Sequence, residues 1–279
     1  MGEIQLDKIF SGYILATDMD GTLINSNREI SKENREAIKY FIENGGLFTL
    51  ATGRMVQAVR DFAEDLNVNC PIMLHNGAKI YDFKEGKVIK EHYIEEERKE
   101  AIKRFYKDNP NIGIEIFSDE IAYVYRKCKF TKRYDRHKDY KVIYELPDEI
   151  WKKPWIKVLI IGEKDELDAA EIDFRENYDK GNNSFRSGTN YLDVVANGIS
   201  KGKSLEELVT ALNLDKEKVI AVGDNMNDIE MIEYAKFGFC VENGLDIVKK
   251  KANYIATSND DDAIAYIINK MKQDIEFLS

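Results

Sequence analysis

Two aspartates one residue apart, Asp18 and Asp20, stand in the run Asp18-Met19-Asp20-Gly21-Thr22, immediately after a short apolar stretch. Strand side chains alternate, but the chain turns where a strand ends, so both carboxylates can face one crevice there. Gly21 relieves the turn sterically. Crowded carboxylates repel, and the pair is costly unless a cation sits with it or one member carries a proton. A solvated acidic loop is the plain alternative. A calcium loop starting at Asp18 is excluded, because it needs glycine where Leu23 stands.

Three further clusters have chemistry to offer. In Ala51-Thr52-Gly53-Arg54 a hydroxyl and free backbone N–H groups at a helix entrance can cradle a phosphate. Taken alone, the same residues also read as an ordinary cap, with Arg54 a structural or substrate-side charge. Lys201, between Ser200 and Gly202, offers a point charge for a phosphoryl group; in isolation it is simply a surface lysine. Gly223-Asp224-Asn225-Met226-Asn227-Asp228 supplies oxygen ligands suited to a hard cation such as magnesium. It also fails as a calcium loop, because Met226 and Ile229 occupy an oxygen-ligand position and the glycine position.

The elements that must position these clusters follow from apolar patterning. Residues 13–17, 47–51 and 71–74 read as short buried strands. Between them lie a helix capped by Ser31, carrying Glu33 in its first turn and ended by Gly45-Gly46, and a helix drawn by Val56, Val59, Phe62, Ala63 and Leu66. This βαβ rhythm predicts right-handed crossovers and a parallel sheet. It returns near the C-terminus, with strands at 219–222 and 237–241 and helices around 205–212, 229–235 and 263–271, the last capped by Asp260 or Asp261. Every cluster then falls at the C-terminal end of a strand or the adjoining helix start, the edge where open α/β sheets bind ligands. The texture changes between them: strands at 115–117, 122–125 and 156–161 with helical patches at 97–106 and 167–178 predict a smaller α+β unit, covered on one side. One continuous sheet through the whole chain is the alternative.

The 279 residues suffice for one large domain or two modest ones. With 41 basic and 51 acidic side chains, net charge -10, the chain is not built for sequence-independent contact with nucleic acid. It shows neither an export signal nor a run long enough to cross a bilayer, so no membrane partner is expected and the cytoplasm is the default location. Cys70, Cys128 and Cys240 form no paired spacing, and His75, His92 and His137 leave little for a histidine-rich metal site. Nothing in the sequence specifies a protein partner.

As an ordered set, Asp18-Met19-Asp20-Gly21-Thr22-Leu23, Thr52-Gly53-Arg54, Lys201, and Gly223-Asp224 through Asn227-Asp228 with Met231 resemble the four motifs of the haloacid dehalogenase superfamily. The likeness extends over essentially the whole chain and points to the Cof-type phosphatases of subclass IIB. It implies an α/β fold: a parallel three-layer Rossmann-like core from residues 1–82 and 192–279, with an inserted α+β cap, residues 83–191, governing substrate specificity. Asn76-Gly77 resembles the usual exit toward the cap, whereas Ala196-Asn197 replaces a frequent proline at the return. By resemblance, Asp18 is the nucleophile, Asp20 the general acid and base, and Thr52 and Lys201 hold phosphoryl oxygens. Mg2+ is held by Asp18, the carbonyl of Asp20, and Asp224, supported by Asn227 and Asp228. Gly21, Gly53, Arg54, Asn76 and Gly77 are candidates for phosphate or substrate binding, and Arg186 and Asn190 for reaching over the leaving group. The implied reaction is hydrolysis of a small-molecule phosphate ester, a sugar phosphate before a polyol phosphate, pyridoxal phosphate or flavin nucleotide. The dehalogenase branch lacks an aspartate at the position of Asp20, so that residue points to ester chemistry. A phosphomutase and a non-catalytic metal or metabolite binder are the competing readings.

Overall fold

Four consecutive buried residues form β1 (Ile14–Thr17), an interior strand of a five-stranded sheet. Its neighbours are β2 (Leu47–Leu50) on one side and, on the other, β12 (Val219–Gly223), β13 (Phe237–Val241) and β14 (Tyr254–Ala256), all parallel. The strands are apolar on both faces because helices cover both. Leu15, Phe48 and Val222 pack toward α1 (Lys32–Glu43) and α8 (Ala263–Leu278). Ile14, Ala16 and Ala221 pack toward α5 (Lys201–Ala211) and α6 (Ile229–Tyr234). Two short helices, α2 (Arg60–Asp65) and α7 (Asp246–Lys249), complete this unit. The computed structural model describes residues 8–136, 140–180 and 184–278, and His137 lies outside them.

The second unit is a six-stranded sheet in the order β10 (Ser184–Gly188), β11 (Tyr191–Val194), β9 (Lys157–Ile161), β6 (Gly113–Ser118), β7 (Ile121–Arg126) and β8 (Lys141–Ile143). All its pairings are antiparallel except β7 with β8. Helices α3 (Glu96–Asp108) and α4 (Lys164–Asp173) cover one face, burying Ile114, Ile116, Val158, Ile160, Leu192 and Val194. The opposite face looks back toward the core. The chain is therefore an α/β core with an inserted α+β cap, and the single continuous sheet is ruled out.

Three local expectations are corrected. Residues 71–74 do form a strand, β3 (Ile72–Leu74), but its ladder is antiparallel with β4 (Lys79–Asp82), which pairs on with β5 (Lys87–Glu91). The bridge Ala51↔Met73, with the Thr52 N–H donating to Met73 O at 2.9 Å, ties it parallel to the core sheet. The helix after Gly53 breaks into a single turn, Val56–Ala58, and the short α2. The start of α8 is held by neither predicted aspartate. Asp260 accepts from the N–H and hydroxyl of Ser26, Asp261 accepts from Ser258, and the Ala265 N–H donates to Asn34 Oδ1 at 2.9 Å. Ser31 does cap α1, accepting from the Asn34 N–H.

Asn34 thus couples the first and last helices through a buried bond. Asn34→Ala should strand the Ala265 N–H away from water, costing about 1–3 kcal/mol. A urea midpoint lowered accordingly, with kinetic constants per folded molecule unchanged, is the expected result; an unchanged midpoint would refute the coupling.

Candidate active site

The floor of the site forms where β1 and β12 end side by side. Asp18 extends the parallel ladder, its N–H donating to Val222 O at 3.0 Å, so its carboxylate emerges beside the loop that follows β12. Lys201, fully buried at the start of α5, reaches Asp18 Oδ1 at 2.5 Å and Asp228 Oδ1 at 2.6 Å. The other oxygen of Asp228 accepts the N–H groups of Asp224 and Asn225, both at 3.0 Å. Asp228 is thereby spent on positioning the lysine and the loop. Gly223 permits this, since a Cβ there would lie 2.4 Å from the Asp228 side chain. Asp224 is fixed by the Thr22 hydroxyl, which donates to its Oδ1 at 2.9 Å.

Electrically the floor is short of positive charge. Burial works against the Lys201 ammonium, but Asp18 and Asp228 outweigh it and keep its pKa above the ordinary lysine value. Burial pushes the Asp18 carboxyl well above the usual carboxylate range; Lys201 opposes this, while Asp228, Asp224 and Asp20 add to it. Asp224 is pushed up to about 6, by burial first and by Asp228 second. Three carboxylates face one ammonium, and oxygens of Asp18, Asp224 and Asp228 lie within 4.8 Å of one another. An all-oxygen cluster of that size, starved of positive charge, suits a hard divalent cation.

Around the floor, Arg54 grips Asp20 with two bonds, Nε to Oδ2 at 2.9 Å and Nη2 to Oδ1 at 2.6 Å. The buried Thr52 accepts the Arg54 N–H on its hydroxyl at 3.2 Å. Gly53 and Asn227 also line the cavity. Behind the lining stand Gly21, Asn76 and Gly77. A Cβ on Gly21 would meet Asp224 Oδ2 at 2.9 Å, and one on Gly77 would sit 2.2 Å from Ser200 O. Gly77, at φ +97°, therefore fixes how closely the chain passes the start of α5. Asn76 accepts from Asn227 Nδ2 at 3.0 Å, while its own Nδ2 is buried without a protein partner.

Arg186 and Asn190 do not reach the cavity, correcting the expectation placed on them. Arg186 turns to Asp168 and Glu171, and Asn190 Nδ2 donates to Gly162 O at 2.8 Å. The period-2 alternation of β10 explains it: Phe185 and Ser187 face the cleft side, and Arg186 faces α4.

The roof, which sequence reasoning missed, comes from the other face of the cap sheet. Phe117, Lys157, Leu159, Tyr191 and Asp193 hang over a cavity of about 420 Å³ whose floor holds Asp18, Asp20 and Asp224. Arg133, Tyr134 and Tyr140 close one side. The buried Glu115 binds the Arg133 guanidinium and the Tyr134 hydroxyl, and Lys157 pairs with Asp193 at 3.0 Å. A signal was present: Glu115 between two isoleucines, Lys157 before Val-Leu-Ile-Ile, and Asp193 between Leu192 and Val194 put charges at alternate positions of otherwise apolar strands.

Comparison with known proteins places this geometry. A family profile described as haloacid dehalogenase-like hydrolase matches residues 15–268. A putative phosphatase of Streptococcus pyogenes is 29% identical over 263 residues, covering 92% of this chain and 97% of its own. A 5-amino-6-(5-phospho-D-ribitylamino)uracil phosphatase of Bacillus subtilis is 27% identical over 287 residues, covering 92% and 97%. The crystal structure of a haloacid dehalogenase-like hydrolase from Bacteroides thetaiotaomicron superposes with a TM-score of 0.79 at 29% identity, covering 93% of this chain and 99% of that one. No helix among the described residues is long and apolar enough to cross a membrane.

The raised carboxyl of Asp224 gives a signed pH dependence. A folded pKa of about 6 lies above the unfolded value, so the cation-free protein has this contribution to stability at low pH and loses it as pH rises through about 6. A cation replaces the missing charge only once the cluster is deprotonated. The thermal shift produced by magnesium chloride should therefore be several degrees larger near roughly pH 7.5 than near roughly pH 5. Equal shifts at both would place cation binding elsewhere.

Proposed function

Since the chain belongs to the haloacid dehalogenase-like hydrolases, we propose that it is a magnesium-dependent phosphatase acting on a small phosphorylated metabolite through an aspartyl-phosphate on Asp18. The observation that carries this reading is the convergence of Asp18, Lys201 and Asp224 at the floor of a cavity that Asp20 also lines. In the first step a carboxylate oxygen of Asp18 bonds to phosphorus, the ester P–O bond breaks, and Asp20 gives its proton to the departing oxygen. In the second, Asp20 takes a proton from water, the water oxygen bonds to phosphorus, and the acyl-phosphate bond opens to release inorganic phosphate and restore Asp18.

Lys201 offsets the repulsion between the Asp18 carboxylate and the anionic phosphoryl group, and Thr52 offers a hydroxyl to a phosphoryl oxygen. A magnesium ion held by Asp18, Asp224 and the carbonyl of Asp20 would stabilise charge on the transferring phosphoryl group. With Arg54 on both oxygens of Asp20, substrate has to draw the guanidinium toward its phosphoryl group before Asp20 can deliver a proton.

The roof supports a sugar phosphate as the substrate class. Ion pairs, a serine and tyrosine hydroxyls offer hydrogen bonds to a polyhydroxylated body, and the tyrosine rings offer flat apolar surface. On this reading the insert, residues 83–191 with strand β11 running on to Val194, selects the substrate and the core performs the transfer.

A substrate panel with magnesium present tests the reading, and it should include hexose and polyol phosphates and 5-amino-6-(5-phospho-D-ribitylamino)uracil. Inorganic phosphate should be released, with no bisphosphate formed, and chelation should abolish release until magnesium is restored. Asp18→Asn should eliminate turnover while leaving substrate binding, and Asp20→Asn should lower kcat by roughly 10²–10⁴-fold. Substantial turnover by Asp18→Asn would exclude the covalent route.

A further inference from the structure

Residues 53–56, which join the phosphate-cradling Thr52 to the first turn after it, are held at both ends by side chains of the cap. At one end Lys157, from β9, donates to Gly53 O at 2.8 Å. At the other, Glu120 accepts the Val56 N–H on Oε2 at 2.8 Å. Glu120 sits at the tip of the β6–β7 hairpin, where Asp119 and Glu120 adopt φ of +51° and +56°, two left-handed residues in succession that make a tight turn. The tip inserts into a socket of core residues. Glu120 Oε1 faces Lys79 Nζ and lies 3.3 Å from His75 Nε2, and its backbone carbonyl accepts from Gln57 Nε2 at 3.2 Å.

The socket is balanced with the tip in place and also without it. Burial holds His75 below the ordinary histidine value, so the ring is neutral despite the neighbouring carboxylate. Lys79 has a second partner in Glu91, at 2.8 Å on the adjoining strand β5. Burial disfavours the Glu120 carboxylate, yet the His75 hydrogen bond and the Lys79 ammonium hold it below the ordinary glutamate value, so it is ionised when seated. Withdrawing the tip leaves Lys79 paired with Glu91 and His75 uncharged, and Glu120 passes into water. No isolated charge is left buried, the usual penalty for opening an ionic contact in an interior. A joint that closes with bonds and opens without stranding a charge is a latch.

We infer that Glu120 is a positioning residue: seated in the core, it latches the cap shut and, with Lys157, clamps the 53–56 segment so that Thr52 and Arg54 are held in place for the phosphoryl group. This rests on the phosphatase reading for its consequence, though not for its mechanics. Releasing the latch lowers the fraction of molecules with the closed cleft, and apparent affinity for a substrate that needs the closed form falls by that fraction.

The test uses the full chain with Glu120→Ala and Glu120→Gln, the latter keeping an acceptor for Val56 while losing the charge opposite Lys79. Amide hydrogen exchange should accelerate by about tenfold or more at residues 53–59 and 117–123 in Glu120→Ala, and less in Glu120→Gln, with β12 amides unchanged. On the preferred ester kcat/KM should fall about tenfold, mostly through KM. Wild-type exchange at 53–59, acceleration that extends equally to β12, or a loss confined to kcat would each overturn the latch. If Glu120→Ala does not fold, the same criteria apply to Glu120→Gln. The exchange measurement needs no turnover, so failure of the latch and failure of the phosphatase reading are separable.

Discussion

The buried ammonium of Lys201, set between Asp18 and Asp228, is the interaction on which the site depends. A lysine is seldom fully buried, and this one is tolerated because two carboxylates meet it at hydrogen-bond distance. The geometry needed for that meeting reaches far into the fold. β1 and β12 must end together, α5 must begin where Gly77 lets the chain pass close to Ser200, and Asp228 must fold back on the loop after Gly223. Removing either partner of such a pair costs roughly 3–5 kcal/mol, because the other remains buried and uncompensated. One lysine still does not neutralise three carboxylates. The residual negative charge suits the floor to a divalent cation, which on the proposed reading would in turn make it hospitable to a phosphate ester.

The cap resolves a different conflict. A sheet covered by helices on one face and by a wet cleft on the other has to present polar groups without leaving them unsatisfied. Here the cleft face does so with internal pairs: Glu115 with Arg133 and Tyr134, and Lys157 with Asp193, which also accepts from Ser187. These pairs fix rotamers before any ligand arrives, so less side-chain ordering remains to be done on binding. They also set the polarity of the roof at particular points above the floor, which a set of mobile surface charges could not.

Much of this was legible in the sequence. β13 was bounded correctly from its apolar run, and the four reactive clusters were assigned to one edge because the βαβ rhythm leaves few topologies. What escaped had physical reasons. β10 and β11 are short and separated by a two-residue turn, and most of β10 is only half-buried, so their patterning is weak against the neighbouring charges. The helix after Gly53 looked continuous from its apolar spacing, yet the segment is pulled at Val56 by a carboxylate 64 residues away, information that no local window contains. Arg186 failed as a candidate through parity. A cation near the return crossing drew notice, and only its register on β10 shows that it points at α4.

On the phosphatase reading, the same parity argument separates chemistry from selection. Floor residues sit at the ends of parallel strands, where the backbone ladder itself fixes their positions, and Asp18 cannot shift without breaking its bond to Val222. Roof residues occupy alternate positions along antiparallel strands whose opposite face is already packed under α3 and α4. Exchanging a cleft-facing side chain there alters the roof without touching the apolar layer beneath, and without disturbing any bond made by Asp18, Lys201 or Asp224. On the proposed reading, fold stability, phosphoryl transfer and substrate choice are carried by three sets of side chains with little overlap. The segment 53–56 is where they meet, because the core supplies its backbone, the site draws on its Arg54 and the adjoining Thr52, and the cap holds its two ends.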